Sequence, residues 1–183
     1  VIFLHGGFEQ SDLGIAWYHD KLRSRFYIDE SKPYIYAAPI KLEVDWSAKK
    51  IKDVIEDIKS NLNIDDNRIY LTGLSMGGRG AFIVASELPD YFAAIMPLSP
   101  HHQPYSYVSL AESISHIPIW MSHGNIDYVS SYGLALEMFN ALTYLEANVI
   151  FRTEYGVGHW GWEDIYSDSL VMNWLLSREK VQQ

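Results

Sequence analysis

The 183-residue chain contains no cysteine, and that absence removes disulfide frameworks, thiolate metal sites and a cysteine nucleophile from consideration. It leaves the redox compartment undetermined, so the cytoplasm and the cell exterior both remain open. Positive charge is scarce as well, since 14 Lys and Arg against 23 Asp and Glu give a formal charge of −9. Nucleic-acid binders need clustered cations against the phosphates, so nucleic acid is not an expected partner. No apolar run approaches the roughly 20 residues of a membrane-spanning helix, and no charged leader precedes a signal-peptide core. The chain opens without Met, inside the run Val1-Ile2-Phe3-Leu4, which reads as a piece of a longer protein with any leader and earlier strands lying ahead. An exposed sheet edge there would make self-association plausible.

What is present describes a globular protein: 48% of residues are hydrophobic and 20% charged. Short β-rich runs alternate with longer helical ones, which predicts a mainly parallel sheet of about six strands with helices on both faces. The strand candidates are 1–4, 34–38, 69–72, 93–98, 117–122 and 148–154. Most are continuously apolar, as strands covered on both faces must be. Ile51, Val54, Ile55, Ile58 and Leu62 recur at helical spacing behind a capping Ser47. Leu134, Met138, Leu142 and Leu145 do the same within 130–146. A terminal helix in two parts, 163–177, turns Val171, Trp174 and Leu175 inward. With no repeat or linker, residues 1–183 read as one domain. The stretch 101–116 is too short for a large cap.

The sharpest local feature is Gly73-Leu74-Ser75-Met76-Gly77, placed between the apolar run 69–72 and the helix-like stretch 78–88. A serine on so tight a strand-to-helix turn is a candidate nucleophile, and the glycines two residues to either side remove side chains that would collide with neighbouring elements. Three further segments sit at predicted strand ends: Leu4-His5-Gly6-Gly7-Phe8, His123-Gly124-Asn125-Ile126-Asp127 and Gly156-Val157-Gly158-His159. The carboxyl ends of parallel strands share one edge, so these distant residues can converge. Ser75, Asp127 and His159 follow the chain order of α/β-hydrolases, not that of chymotrypsin-like or subtilisin-like proteases.

These motifs resemble the α/β-hydrolase superfamily over nearly the whole chain. More narrowly, Arg68 to Gly78, with Gly158-His159-Trp160 and the closing Trp174-Leu175-Leu176, is similar to compact esterases related to polyhydroxybutyrate depolymerases, feruloyl esterases and the predicted-peptidase group near dienelactone hydrolases. In the roles the chemistry requires, His159 accepts the Ser75 proton and Asp127 fixes the imidazole tautomer. Backbone N–H groups of Met76 and of Gly7 or Phe8 would receive the oxyanion. Such chemistry needs no metal and no organic cofactor.

Alternatives remain at several positions. Asp127 could be a turn or capping residue ahead of Ser130, with Asp164 and Asp168 as substitutes that follow the histidine in the chain. His5 is expected to be structural, His19 to lie on a helix surface and His116 in a loop. His123 is expected to hydrogen-bond to a loop. The pair His101-His102 borders the expected pocket, with His102 a substrate contact or a plain loop residue. Trp160 and Trp162 could form an aromatic wall or pack over the terminal helix. Asp45-Trp46 could reach the rim of the pocket but is expected to be structural, and Arg79 is expected to pair with an acidic surface residue.

The resulting expectation is a serine carboxylic-ester hydrolase for short-acyl, aryl or carbohydrate-linked esters. Peptide hydrolysis by the same triad and a non-catalytic binding module on the same fold are the alternatives.

Overall fold

Strand β1 (Ile2–Leu4) shows why the strand runs are apolar throughout. Ile2 and Leu4 enter one hydrophobic cluster and Phe3 the other, because successive side chains of a strand point to opposite faces. The computed structural model describes residues 1–7, 34–41 and 43–180. His19 and Phe8, both named above, lie outside the described residues.

Four more strands complete a parallel sheet in the order β1-β2-β3-β4-β5: β2 (Tyr70–Leu74), β3 (Ala94–Leu98), β4 (Ile119–Gly124) and β5 (Val149–Glu154). Where a sixth strand was expected at 34–38, there is a single parallel bridge of Ala37 to Ile2, made by Phe3 N–H donating to Ala37 O at 2.8 Å and Ala37 N–H to Val1 O at 2.9 Å. That bridge lies on the opposite side of β1 from β2. The chain therefore leaves β1 one way and β2 the other, and the carboxyl ends of β1 and β2 become the switch point at which such sheets bind ligands.

Helices α1 (Ala48–Asn61), α2 (Met76–Glu87), α3 (Ala111–Ile114) and α4 (Tyr132–Tyr144) pack on the face that carries Ile2, Leu71, Ile95 and Met121. Helices α5 (Trp162–Ser167) and α6 (Ser169–Leu176) cover the face with Phe3, Met96 and Trp120. Ser47 caps α1 as expected, accepting from Lys50 N–H. Leu62 and Leu145 are not core residues: each is the cap just past its helix, where the chain has left the helical face, and both are exposed. The break between α5 and α6 falls at Asp168, whose carboxylate accepts from Leu170 N–H and pairs with Arg152 at 2.6 Å. Residues 101–116 pack down onto the domain, with Tyr107 buried and stacked on Phe82 at 5.0 Å. Among the described residues no inserted cap domain is present. No helix among them is long and apolar enough to cross a membrane.

Candidate active site

Ser75 sits between the last residue of β2 and the first of α2, and its backbone has φ 56° and ψ −119°. A non-glycine residue in that region is strained by about 1–3 kcal/mol and persists only when its surroundings hold it. They do: Ser75 N–H donates to Leu98 O at 2.9 Å, and Ser75 O accepts from Arg79 N–H at 3.0 Å and His101 N–H at 2.9 Å. The flanking glycines are sterically required. A Cβ on Gly73 would stand 2.5 Å from Gly77 O and 2.7 Å from Leu4 O, and one on Gly77 would run into the Leu4 carbonyl. Below the turn, Thr72 Oγ1 donates to Met96 O at 2.7 Å, which leaves Tyr166 OH as the donor to Thr72 at 2.9 Å.

Ser75, His159 and Asp127 form one hydrogen-bonded chain. The Ser75 Oγ to His159 Nε2 distance is 2.8 Å and the His159 Nδ1 to Asp127 Oδ2 distance is 2.7 Å. Because a carboxylate only accepts, Nδ1 carries the imidazole hydrogen and Nε2 turns its lone pair to the serine hydroxyl. The other Asp127 oxygen, Oδ1, accepts from Val129 N–H at 2.9 Å and Ser130 N–H at 2.8 Å. The turn-residue alternative is thus compatible with the partner-of-histidine one, each using a different oxygen. Burial pushes the Asp127 carboxyl up, but hydrogen bonds from His123, His159 and the Ser130 N–H outweigh it and hold the group well below the ordinary carboxylate range. Asp164 is exposed and Asp168 is committed to Arg152 and the α6 cap, so neither joins this chain.

The His-Gly-Gly loop lies against Ser75. A Cβ on Gly6 would stand 3.5 Å from Ser75 Cβ, and one on Gly7 would strike the Met76 thioether. Met76 opens α2, so its N–H has no carbonyl one turn earlier in the helix to bond, and the helix dipole favours negative charge there. His5 is structural: its Nδ1–H donates to Gly6 O at 2.7 Å and its Nε2 accepts from Lys41 N–H at 3.0 Å. Trp46 stands edge-on to it at 5.0 Å and fills the space left by Gly80. Arg79 is 2% exposed, pairs with Asp45 at 2.6 Å and donates to Gln103 O at 2.9 Å.

A family model for Esterase matches residues 23–164, well over half of the chain. The chain belongs to the Esterase family. It is 38% identical over 52 residues to poly(3-hydroxyalkanoate) depolymerase C of Paucimonas lemoignei, an alignment covering 28% of this chain and 13% of that protein. It is 30% identical over 82 residues to a bifunctional acetylxylan esterase/xylanase of Neocallimastix patriciarum, covering 45% of this chain and 12% of the relative. The aligned segments thus span only a small part of either curated relative. In three dimensions it is similar to a thermostable esterase, with TM-score 0.79, 25% identity, and coverage of 98% of this chain and 54% of that one. The fold is that of the α/β-hydrolases.

The remaining residues of this esterase-family chain are distributed unequally around the site. Trp160 is 60% exposed, whereas Trp162 is half-buried, donates Nε1–H to Ser99 Oγ at 3.0 Å and stands perpendicular to the His159 ring at 4.9 Å. Its indole therefore backs the imidazole. His102 stands edge-on to Tyr107 at 5.9 Å, with its Nδ1 buried and without a hydrogen-bond partner. His116 is exposed and its Nε2–H donates to Pro89 O at 3.1 Å. Among the described residues no three His, Asp or Glu side chains are grouped as a metal would need.

Two contributors were not visible in the sequence. Ser99, buried with φ 41°, holds Trp162 through its hydroxyl. Ser130 Oγ donates to Ser99 O at 3.1 Å and Pro100 O at 2.7 Å while its N–H meets Asp127, tying the acid loop to the loop after β3. Neither lies in a recognisable motif, and only the fold brings them together. β4 also runs two residues further than expected, which puts His123 and Gly124 inside the strand.

Proposed function

We propose that this chain hydrolyses carboxylic esters through an acyl-enzyme on Ser75. The observation that carries the reading is the continuous chain Ser75 Oγ, His159 Nε2, His159 Nδ1, Asp127 Oδ2, with links of 2.8 and 2.7 Å. Ser75 Oγ attacks the ester carbonyl while its proton passes to His159 Nε2, and Asp127 stabilises the imidazolium. The carbonyl oxygen becomes an oxyanion received by the backbone N–H groups of Met76 and Gly7. Collapse breaks the bond to the alcohol, which leaves with the proton from His159. A water then repeats the sequence on the acyl-serine, with His159 first base and then acid, and the carboxylic acid departs.

Short-acyl, aryl and carbohydrate-linked esters are the proposed substrates. Support comes from the exposed Trp160 beside His159, which offers a flat apolar face to a ring or small acyl group. The named activities of the relatives point the same way, with acetylxylan esterase among them and a ferulic acid esterase of the same fold at TM-score 0.67 and 16% identity. His102, half-buried beside Tyr107, is a further candidate contact.

The test is a panel of p-nitrophenyl acetate, methyl ferulate, acetylated xylan and an aminoacyl p-nitroanilide, with mass spectrometry after a fluorophosphonate probe. Ester turnover and a single adduct on Ser75 are expected. Faster anilide than ester cleavage would convert the reading to a peptidase, and a folded protein without adduct or turnover would convert it to a binding module.

A further inference from the structure

His123 is 1% exposed, lies at the end of β4 and is absent from the reaction as written above. Its Nε2 is 3.1 Å from Ser130 O and 3.4 Å from Asp127 Oδ2. Both are acceptors, so Nε2 must carry the ring hydrogen; it is hydrogen-bonded to Ser130 O, and the Asp127 carboxylate stands beside it in a longer charge–dipole contact. Nδ1 is buried and meets no partner, which suits a bare lone pair far better than an N–H. The ring is held in that orientation. It stands edge-on to Tyr132 of α4 at 5.8 Å, and the Tyr132 hydroxyl bonds at 2.8 Å to Thr153, the residue paired with His123 across β5. The ionisable groups placed around it are Asp127, and through Asp127 His159, together with Tyr132.

We propose that His123 is a positioning residue for ester hydrolysis: its Nε2–H holds Asp127 Oδ2 toward His159 and draws off part of the carboxylate's charge. The inference rests on the triad reading above. Asp127 Oδ1 is fixed by two backbone donors, so the carboxylate can still rock about that end. The His123 N–H restrains the other oxygen, the one that must stay 2.7 Å from His159 Nδ1. Without it, Oδ2 would wander and would concentrate more negative charge on the single remaining imidazole donor. The first effect slows the proton transfer. The second alters the hydrogen bond between His159 Nδ1 and Asp127 Oδ2, which the Nδ1 proton reports directly.

The experiment compares His123→Leu with His123→Gln, whose amide N–H reaches the Nε2 position. For His123→Leu, kcat on p-nitrophenyl acetate should fall on the order of tenfold, the scale of a polar contact to a charged group, with KM unchanged because His123 is buried and has no surface for substrate to touch. The low-field NMR resonance of the His159 Nδ1 proton should shift. His123→Gln should recover most of both. A folded His123→Leu with wild-type kcat and resonance overturns the proposal. Should both variants fail to fold, nitrogen-15 histidine spectra of the unaltered protein decide it, since an Nδ1–H tautomer at His123 also overturns it. Ser75→Ala serves as the control. If Ser75→Ala stays active, the triad reading itself falls, whereas an inactive Ser75→Ala beside an unaffected His123→Leu sinks the positioning role alone.

Discussion

Asp127→Asn tests the site through a single atom exchange, because every partner of this carboxylate is a donor. Oδ1 takes the Val129 and Ser130 N–H groups and Oδ2 takes the His159 Nδ1–H, with the His123 N–H beside it. An asparagine has one oxygen and one NH2, so one side must be mismatched. Keeping the oxygen on the backbone turns the NH2 toward the imidazole. It can donate only if His159 gives up its Nδ1 hydrogen, and the ring then carries its hydrogen on Nε2, facing Ser75 Oγ. In that tautomer the base cannot take the serine proton. In Ser-His-Asp triads where this has been worked out, kcat falls by about 10⁴ with geometry intact, or about 5.4 kcal/mol in the barrier. The assay is kcat on p-nitrophenyl acetate for well-folded Asp127→Asn. A value within about tenfold of wild type would refute the reasoning and place the acid elsewhere. A second measurement follows from linkage. The folded carboxyl titrates below its unfolded value of ~3.9, so its stabilisation is present above pH ~4 and is lost as pH falls through the lowered folded value. Asp127→Asn should therefore flatten the acid limb of the stability profile, read by urea denaturation from pH 2 to 7.

Three further outcomes are expected. Ser75→Ala and His159→Ala should each abolish turnover with unfolding midpoints near wild type, while Ser75→Gly should also be inactive yet gain about 1 kcal/mol by relieving φ 56°; a less stable Ser75→Gly would argue against strain at the turn. Gly77→Ala should lose about 3 kcal/mol, since its methyl would meet the Leu4 carbonyl and stand 2.7 Å from His5 O, both backbone atoms that cannot yield cheaply; an unchanged urea midpoint would contradict the close approach. Arg79→Met should cost about 2 kcal/mol by leaving Gln103 O and the partly exposed Asp45 without their guanidinium; a stability equal to wild type would mean that water replaces the pair fully.

Local sequence carried a large part of this molecule. Continuous apolar runs marked most of the strands, because a parallel strand inside the sheet must satisfy two cores at once, as Phe3 between Ile2 and Leu4 illustrates. The glycines of 73–77 announced the turn because their requirement is steric and local. Chain order then linked Ser75, Asp127 and His159. Segment 34–38 misled for the same local reason: its composition is strand-like, yet only Ala37 finds a ladder partner.

What local sequence could not decide was which polar atom meets which. Whether Asp127 caps a turn or holds His159 depends on two oxygens facing two different loops, 127–130 and 156–159, which meet only when β4 and β5 pair. The tilt of Trp162 behind His159, the Ser99 hydroxyl that anchors it and the buried ring of His123 likewise arise from contacts between residues 30 or more positions apart, or from burial that composition does not encode. Residue types and their order along the chain therefore determined the fold and the candidate reactive residues. Tertiary structure alone decided the hydrogen-bond pairing, because a donor or acceptor is directional over about 3 Å, while the pattern that builds helices and strands is not.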